Sequence, residues 1–350
     1  MPINAPTVEA TYLEMKRLLA HVVPDVELRY KAELVYEINR RKKERGAIIL
    51  GHNYMEPALF YGVPDVVGDS LELSRKAAAT QCDPIIFCGV RFMAETAKIL
   101  NPTKTVLLPA KRAGCSLAES ISAADVRELR QRFPGVPIVA YINTYADVKA
   151  EVDIICTSGN AAKVVRSLKA NPVIFLPDEY LAKNVAQETG LKIIVASRGS
   201  GTTLVTNESS PTMIGWNGRC EVHEKFSPED VRNVRAQFPG VVVLAHPECS
   251  PEVTAVADFS GSTSRMVEYV RMAKATHYLL LTECSMADNI AAENPDKEMV
   301  RMCSVRCPHM NEITLEDTLH ALTHNEQVID VPEPIRSQAR RSIDRMLAVT

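Results

Sequence analysis

Three of the nine cysteines stand at equivalent places in an internal repeat of the chain. Three segments each begin with a β-branched, strand-like run, continue through helix-like stretches and close on a cysteine: Cys115, Cys220 and Cys307. The separation from His52 to Cys115 is almost the same as that from His246 to Cys307. A fixed period indicates repeated structural units. We therefore treat the three cysteines as one set.

The middle repeat is longer because of an extra polar stretch. Tyr141 and Cys220 lie further apart than the corresponding pairs, but their separation matches that of the first repeat once residues 198–213 are removed. We interpret residues 198–213 as an insertion. Its Gly, Ser and Thr content predicts a mobile surface loop before the second cysteine, in a place where it could cover the site as a lid.

The number and spacing of these cysteines predict one shared metal centre. Soft thiolates select zinc or iron–sulfur clusters, and a structural zinc site takes four ligands that usually come in CxxC pairs. This chain has no CxxC, and the repeated cysteines are dispersed. Three thiolates on a four-iron cluster would leave one iron open as a Lewis acid. The alternative of three unrelated buried cysteines is disfavoured because all three close the same repeat.

Polar side chains follow the first strand of each repeat. Open parallel sheets bind ligands at the carboxyl ends of their strands, so these positions are candidate site residues. A single histidine at a strand end is more often structural, but two at equivalent positions favour a catalytic role. The strand-end tripeptides are His52-Asn53-Tyr54, Tyr141-Ile142-Asn143 and His246-Pro247-Glu248.

Each repeat also has a strand-to-helix turn rich in Gly, Ser and Thr. Ser, Thr and Asp cap helices, and a helix start presents free N–H groups and a partial positive charge that bind carboxylates or phosphates. One such turn is ordinary in an α/β protein, whereas three around a metal centre predict a substrate with several anionic groups. The three turns are Gly68-Asp69-Ser70, Thr157-Ser158-Gly159 and Gly261-Ser262-Thr263.

Arg91 follows another predicted strand and has two equally good interpretations. Its guanidinium could bind a phosphate or carboxylate of the substrate through two parallel hydrogen bonds. It could equally form a surface ion pair with Glu95, which stands four residues further along the same predicted helix. The sequence leaves the choice between these two roles open.

The elements that position these residues indicate an α/β fold. From residue 46 onward, β-branched runs such as AIIL, DPIIFCG and VVVLAHP alternate with stretches long enough for a crossover helix. This alternation predicts short parallel sheets with helices on both faces. We expect three homologous three-layer α/β/α domains whose ligand-binding edges face one another around one shared metal centre. The expected segments are a helical segment 1–45, the repeats 46–120, 121–222 and 223–308, and a C-terminal helical segment 309–350.

The composition excludes several classes of protein. Lys and Arg number 40 against 43 Asp and Glu, for a formal charge of −3, which argues against a nucleic-acid groove. No apolar run approaches the roughly 18 residues that a membrane-spanning helix needs, and the first residues lack the apolar stretch of a signal peptide. An odd number of cysteines in a chain of 350 residues indicates the reducing cytoplasm.

The motifs together resemble the quinolinate synthase family of bacterial de novo NAD biosynthesis. They run in order from Gly46 to Met310 and include GHNY, GDSLELSRKA, GVRFMAETAKIL, GCSLA, YINT, TSGNA, WNGRCEVHE, HPE and GSTS. The resemblance implies three α/β domains in a pseudo-threefold arrangement around a central [4Fe–4S] cluster, which Cys115, Cys220 and Cys307 hold. It also implies a transferase that condenses iminosuccinate (iminoaspartate) with dihydroxyacetone phosphate to quinolinate, phosphate and water. An L-aspartate oxidase or dehydrogenase would supply the short-lived imine.

The resemblance assigns further site residues. We expect Tyr54 and Glu248 to share the proton transfers, with His52 and His246 as the next candidates. The substrate contacts carried over by motif are His52, Tyr54, Ser70, Tyr141, Asn143, Ser158, His246, Glu248 and Thr263.

Two other functions stay open on the sequence alone. A cluster-dependent hydro-lyase of the aconitase kind also needs an open iron and bound carboxylates, although the phosphate-ready helix starts argue mildly against it. A non-catalytic iron or oxygen sensor could use three dispersed thiolates as a labile centre, but it would need no polar strand ends. Some family members carry a CxxCxxC run near the last ligand, where this chain has only Cys303 and Cys307. A disulfide between these two under oxidation stays open.

Overall fold

Three separate parallel sheets form the framework of the molecule. The computed structural model describes residues 2–198, 212–301 and 305–349. Every strand pairing within the three sheets is parallel, and helices flank each sheet. Parallel strands that are buried on both faces read as continuous apolar runs, which is the pattern of this sequence. The prediction of an α/β fold with short parallel sheets is confirmed.

Two helices precede the first sheet and pack against each other: α1 (Val8–Leu19) and α2 (Asp25–Arg45). α1 begins after Thr7, whose hydroxyl accepts a hydrogen bond from the Ala10 N–H. α2 ends at Gly46, whose φ of 61° lies in the left-handed region that favours glycine. Both helices lie in the segment that the sequence predicts to be helical.

The first sheet contains β1 (Ile48–His52), β2 (Val66–Gly68), β3 (Ile85–Cys88) and β4 (Val106–Leu107). Its strands lie in the order β2-β1-β3-β4. The helices of this part of the chain are α3 (Pro57–Gly62), α4 (Ser70–Ala79), α5 (Arg91–Leu100) and α6 (Ser116–Glu119).

The second sheet contains β5 (Ile138–Tyr141), β6 (Ile154–Cys156), β7 (Val173–Leu176), β8 (Lys192–Ala196) and β9 (Thr212–Trp216). Its strands lie in the order β6-β5-β7-β9-β8. The helices here are α7 (Ala123–Arg132), α8 (Ala146–Glu151), α9 (Ala161–Leu168) and α10 (Glu179–Thr189).

The third sheet contains β10 (Val242–Ala245), β11 (Phe259–Ser260), β12 (His277–Leu281) and β13 (Glu298–Val300). Its strands lie in the order β11-β10-β12-β13, which repeats the order of the first sheet. The helices here are α11 (Pro228–Gln237), α12 (Pro251–Val256), α13 (Thr263–Met272) and α14 (Cys284–Glu293).

The second sheet corrects the expected boundary of the insertion. β9, and not β8, pairs with β7 in the position that β4 and β13 hold in the other sheets, so β8 is an additional edge strand. Thr212 and Met213 belong to β9, because this strand forms a parallel ladder with β8 from Thr212 and with β7 from Met213. The rest of the predicted loop from 199 to 211 lies outside the described residues, as does Cys303 of the disulfide left open above.

The C-terminal segment returns to the first two sheets. α15 (Leu315–His324) packs against α2, and α16 (Ile335–Ala348) packs against α8 and β6. Buried residues of the first two sheets and of both terminal segments share one hydrophobic core, whereas the third sheet has a smaller cluster on each face. Among the described residues, no helix has both the length and the apolar character needed to cross a bilayer.

One hydrogen bond recurs in all three sheets and fixes the cysteine loops. In each sheet, the first residue of the helix after the third strand donates its N–H to the carbonyl two residues before the repeated cysteine. The pairs are Arg91 with Ala113 at 2.8 Å, Glu179 with Gly218 at 2.8 Å and Cys284 with Val305 at 3.0 Å. The three cysteines are therefore tied to their sheets in the same way, as the sequence repeat predicts.

Candidate active site

One cavity is lined by strand ends, helix starts and cysteine loops from all three repeats. Its wall contains every residue that the sequence analysis assigned as a cluster ligand, catalytic group or substrate contact, except Arg91. The predicted residues that line it are His52, Tyr54, Ser70, Cys115, Tyr141, Asn143, Ser158, Cys220, His246, Glu248, Thr263 and Cys307.

Each of the three cysteines lies at the start of a short helical turn whose N–H groups reach its sulfur. The turn is α6 after the first cysteine and 3₁₀ helix after the other two, His223–Lys225 and Met310–Glu312. Two N–H groups pointing at a sulfur favour its anionic form. The donor pairs are Leu117 and Ala118 for Cys115, Val222 and His223 for Cys220, and His309 and Met310 for Cys307.

Burial nonetheless keeps these thiols protonated in the absence of a cation. It raises the pKa of Cys115 to about 12 and that of Cys307 to about 11, and it raises the pKa of Cys220 well above its ordinary value. A coordinated cation deprotonates a thiol outright. Three soft donors around one cavity, each with N–H groups ready for a thiolate, fit an iron–sulfur cluster.

The hydroxyl of Tyr54 is held by one residue of the second cysteine loop and one that follows β12. Its oxygen lies 2.5 Å from Thr282 Oγ1 and 3.5 Å from His223 Nε2. His223 Nε2 lies 3.0 Å from Thr282 Oγ1, so the three groups form a closed triangle. Burial, together with the charge of Glu248, raises the pKa of Tyr54 well above its ordinary value. Tyr54 therefore faces the cavity as a neutral phenol that can donate a proton.

Glu248 is a fully buried carboxylate next to His223. The distance from its Oε2 to His223 Nδ1 is 2.6 Å, and the His223 ring stacks on that of His246 with centroids 4.5 Å apart. Burial by itself would raise the pKa of Glu248, but His223 lowers it below the ordinary value of a glutamate. Burial also lowers the pKa of His223. Glu248 is thus ionised at neutral pH and can accept a proton.

His52 and His246 occupy equivalent positions and are held in the same way. The Nδ1 of each accepts the backbone N–H two residues further on, that of Tyr54 or of Glu248, at 3.3 Å. A ring nitrogen that accepts an N–H carries no hydrogen, so Nε2 is the protonated nitrogen of the neutral His52 ring. His246 Nδ1 also lies 3.4 Å from Glu248 Oε2. Burial lowers the pKa of His52 to about 4. His52 is therefore a neutral N–H donor at the wall of the cavity.

Three helix starts bring partial positive charge to the cavity. Ser70, Ser158 and Thr263 line it at or just before the first turns of α4, α9 and α13. Asn53 Nδ2 donates to Thr263 Oγ1 at 2.9 Å, which joins the strand end of the first repeat to the helix start of the third. In α4 the Asp69 side chain already accepts the N–H groups of Leu71 and Glu72, whereas α9 and α13 have no side-chain cap. Free N–H groups at helix starts bind carboxylates and phosphates. This part of the cavity can therefore hold anionic groups of a ligand.

Arg91 requires a correction, because it does not line the cavity. Its Nε donates to Glu95 Oε1 at 2.8 Å, and its guanidinium lies over the Tyr145 ring at 4.9 Å from the centroid. The Arg91 side chain is 57% exposed, whereas that of Glu95 is 5% exposed. Arg91 thus forms the ion pair with Glu95, the second of its two predicted roles, because the buried Glu95 carboxylate binds the guanidinium.

His223 and Thr282 are the site residues that sequence reasoning missed. His223 follows Cys220 by three residues in the motif CEVHE, and Thr282 directly follows β12. The position of each in the sequence could therefore have indicated a site residue. Ligand atoms of Cys220, His223 and Glu248 lie within 4.8 Å of one another, a group that could hold a metal ion. Cys220 and His223 follow β9 of the second sheet, whereas Glu248 follows β10 of the third sheet, so this group forms only where the two sheets meet.

Comparison with known proteins gives the same family throughout. The sequence profile of the family described as Quinolinate synthetase A protein matches residues 36–348. Quinolinate synthase 2 of Mesorhizobium japonicum is 50% identical over 344 residues, which cover 98% of either chain. The quinolinate synthase of Agrobacterium fabrum is 50% identical over 95% of this chain and 90% of the relative. That of Caulobacter vibrioides is 45% identical over 99% of this chain and 89% of the relative.

Proposed function

Because this chain belongs to the Quinolinate synthetase A protein family, we propose that it condenses iminosuccinate with dihydroxyacetone phosphate to give quinolinate, phosphate and water. One observation carries this proposal: three cysteines, a neutral phenol, an ionised carboxylate and three helix starts share one cavity. Both substrates are anionic, and their condensation needs proton transfers between carbon and oxygen. In this proposal the enzyme is a transferase of NAD biosynthesis.

We propose that Cys115, Cys220 and Cys307 hold a [4Fe–4S] cluster. The support is the soft donor set and the paired N–H groups at each sulfur. When bound, the cluster would supply an open iron that acts as a Lewis acid. The N–H groups of the three helical turns would stabilise the thiolates from the protein side.

Tyr54 and Glu248 are proposed as the proton donor and the proton acceptor. His223 lies between them, with Nδ1 at Glu248 and Nε2 at Thr282 and Tyr54. A proton taken up by Glu248 can therefore return to the Tyr54 side of the cavity through one imidazole. General acid–base groups of this kind contribute roughly 10²- to 10⁴-fold in rate.

The anionic parts of the substrates are proposed to bind at the three helix starts. The side chains of Ser70, Ser158 and Thr263 and the N–H groups beside them would receive the phosphate and the carboxylates. His52 presents an N–H group, and His246, Tyr141 and Asn143 present polar side chains, from the strand ends of the three repeats. Binding at several fixed points would orient both substrates for carbon–carbon bond formation.

Three further properties belong to the same proposal. The domains would be the segments 46–120, 121–222 and 223–308 between the helical segments 1–45 and 309–350. An L-aspartate oxidase or dehydrogenase would supply iminosuccinate, because the imine is short-lived. The protein would work in the reducing cytoplasm, where thiols remain free to bind iron.

The test is an assay of anaerobically purified, cluster-loaded protein with freshly generated iminosuccinate and dihydroxyacetone phosphate. Quinolinate and free phosphate should form together, and neither should form when the triose phosphate is left out. Dehydration of a hydroxy acid without quinolinate would instead favour a hydro-lyase of the aconitase kind. A labile cluster with no turnover of either kind would favour a sensor.

A further inference from the structure

One lysine is completely buried behind the wall of the cavity. Lys149 lies in α8, and its side chain has an exposure of 0%. Its Nζ donates hydrogen bonds to the carbonyl oxygens of Ile142, at 2.9 Å, and of Thr144. The ring of Phe92, which lines the cavity, lies with its centroid 5.4 Å from Nζ. A buried charge is costly unless it is well hydrogen-bonded, so these contacts account for how Lys149 is tolerated.

The two carbonyl groups that bind Lys149 lie on either side of Asn143. The Thr144 N–H also donates to the Ile142 carbonyl, at 2.8 Å, which closes a three-residue turn centred on Asn143. From this turn Asn143 Nδ2 donates to Glu248 Oε1 at 3.4 Å. Asn143 Oδ1 is buried and has no hydrogen-bond partner among the described residues. Asn143 lines the cavity, so the turn determines where its amide stands in the cavity wall.

We propose that Lys149 is a positioning residue for substrate binding. By holding the carbonyl groups of Ile142 and Thr144, its ammonium fixes the turn and places the Asn143 amide in the wall of the cavity, beside Glu248. The inference rests on the proposed function in one respect, because it takes the cavity as the place where the substrate binds. It assigns to Lys149 no contact with the substrate itself.

Two hydrogen bonds from other parts of the chain fix the helix that carries Lys149. Ser342 Oγ in α16 donates to the Lys149 carbonyl at 2.8 Å. Glu95 Oε2 in α5 accepts the N–H of Ala146, the first residue of α8, at 2.8 Å. The lysine is therefore anchored at its backbone as well as at its ammonium, which is what precise placement of Asn143 requires.

The ammonium keeps its proton at neutral pH. Burial lowers the pKa of Lys149 to about 8, while the facing groups Glu95, Asp147 and Cys115 act in the opposite direction. The protonated group has three N–H donors, two of which bind the carbonyl groups of the turn. A neutral replacement of similar shape, Lys149→Met, removes both bonds and leaves most of the packing.

Lys42, in α2 of the N-terminal helical segment, offers a matched control. Its side chain is 8% exposed, and its Nζ donates to the Val63 carbonyl at 2.7 Å and to Asp65 Oδ1 at 2.9 Å. None of these three residues lines the cavity. Lys42→Met therefore removes comparable buried hydrogen bonds without touching the turn that carries Asn143.

The experiment is a double-mutant cycle on kcat/KM with Lys149→Met, Asn143→Ala and the combined variant. Lys149→Met should lower kcat/KM about 10²-fold, the usual effect of a small misplacement in an active site. If Lys149 acts through Asn143, adding Lys149→Met to Asn143→Ala should cost little more. Lys42→Met should keep the wild-type kcat/KM in both backgrounds. Fully additive losses for Lys149 and Asn143 would overturn the proposal.

Amide hydrogen exchange tests the inference independently of the reaction. Exchange in residues 141–146 should become faster in Lys149→Met and stay unchanged in Lys42→Met. Slow exchange of this segment in a folded Lys149→Met would overturn the proposal even if the wild-type protein made no quinolinate. If Lys149→Met does not fold, Lys149→Gln, which keeps an N–H donor on a shorter side chain, takes its place in both measurements.

Discussion

His223 Nδ1 lies 2.6 Å from Glu248 Oε2, which joins the loop of the second cysteine to the strand end of the third sheet. The same imidazole reaches Thr282 and Tyr54 through Nε2. One side chain therefore connects the proposed proton acceptor with the proposed proton donor. His223 lies three residues after Cys220, so the histidine that connects the acid–base groups and a proposed cluster ligand share one short stretch of chain.

The first prediction concerns this bridging histidine. His223→Gln keeps a side chain that can hydrogen-bond but cannot take up a proton, so turnover should fall by roughly 10²- to 10⁴-fold. The visible absorbance of the cluster should remain. His320→Gln, at an exposed histidine outside the cavity, should retain full activity. An active His223→Gln variant would show that the imidazole only packs.

The second prediction concerns the proton donor and acceptor. Tyr54→Phe and Glu248→Gln preserve shape but remove the groups that handle protons. Each should retain the cluster and still bind substrate, and each should lose turnover by roughly 10²- to 10⁴-fold in steady-state assays. If both variants produced quinolinate at near wild-type rates, the assignment would fail and His52 or His246 would be the next residues to test.

The third prediction concerns the proposed cluster ligands. Replacing Cys115, Cys220 or Cys307 with Ser should abolish the broad visible absorbance of the anaerobic protein and lower its bound iron, because a soft thiolate ligand is lost. The matched control is Cys156→Ser, at a buried cysteine of β6 outside the cavity, which should keep its iron. A complete cluster in Cys220→Ser would contradict the assignment.

The fourth prediction separates the two interpretations of Arg91. Because its guanidinium binds Glu95 rather than the cavity, Arg91→Met should leave kcat/KM unchanged. The free energy of unfolding should fall by about 1 kcal/mol or less, since the arginine is more than half exposed. A large rise in KM for the phosphorylated substrate would restore Arg91 as a substrate-binding residue.

The fifth prediction concerns stability and pH. Burial lowers the pKa of Lys149 from 10.5 to about 8, so between these values the unfolded chain binds this proton and the folded chain does not. The free energy of unfolding contributed by Lys149 should therefore be flat below pH 8 and rise with pH above it. Across this pH range, the free energy of unfolding of the wild type should rise relative to that of Lys149→Met. If the difference in free energy of unfolding between the two proteins stayed constant or fell with pH, the lowered pKa of Lys149 would be contradicted.

Sequence spacing was sufficient for the features that depend on neighbours along the chain. Apolar runs such as IIFC and VIFL predict buried parallel strands, and polar residues directly after the strands predict a site at the sheet edges. The repeat placed Cys115, Cys220 and Cys307 at equivalent positions, and the structure brings all three to one cavity. The prediction of parallel strands was correct because strand alternation and loop lengths are set locally, and the site at the sheet edges stays a prediction.

The spacing of residues in the sequence could not predict the strand order of the second sheet. β8 and β9 are both short β-branched or apolar runs, and either could have paired with β7. β9 is buried between β7 and β8 although β8 contains more aliphatic residues, so the strand order depends on the packing of the whole sheet. The recurring hydrogen bond from Glu179 to Gly218 then fixes the cysteine loop after β9.

The sequence by itself determined the fold class, the repeated cysteines and the polar strand ends, because each follows from residue types at short range. Only the tertiary structure decided that His223 meets Glu248 and Tyr54, that Arg91 binds Glu95, and that Lys149 holds the turn of Asn143. His223 and Tyr54 are 169 residues apart in sequence, and no local pattern reports a contact over that separation. Such contacts form where the three sheets meet. Polar groups buried there need hydrogen-bond partners, and the neighbouring sheets supply them.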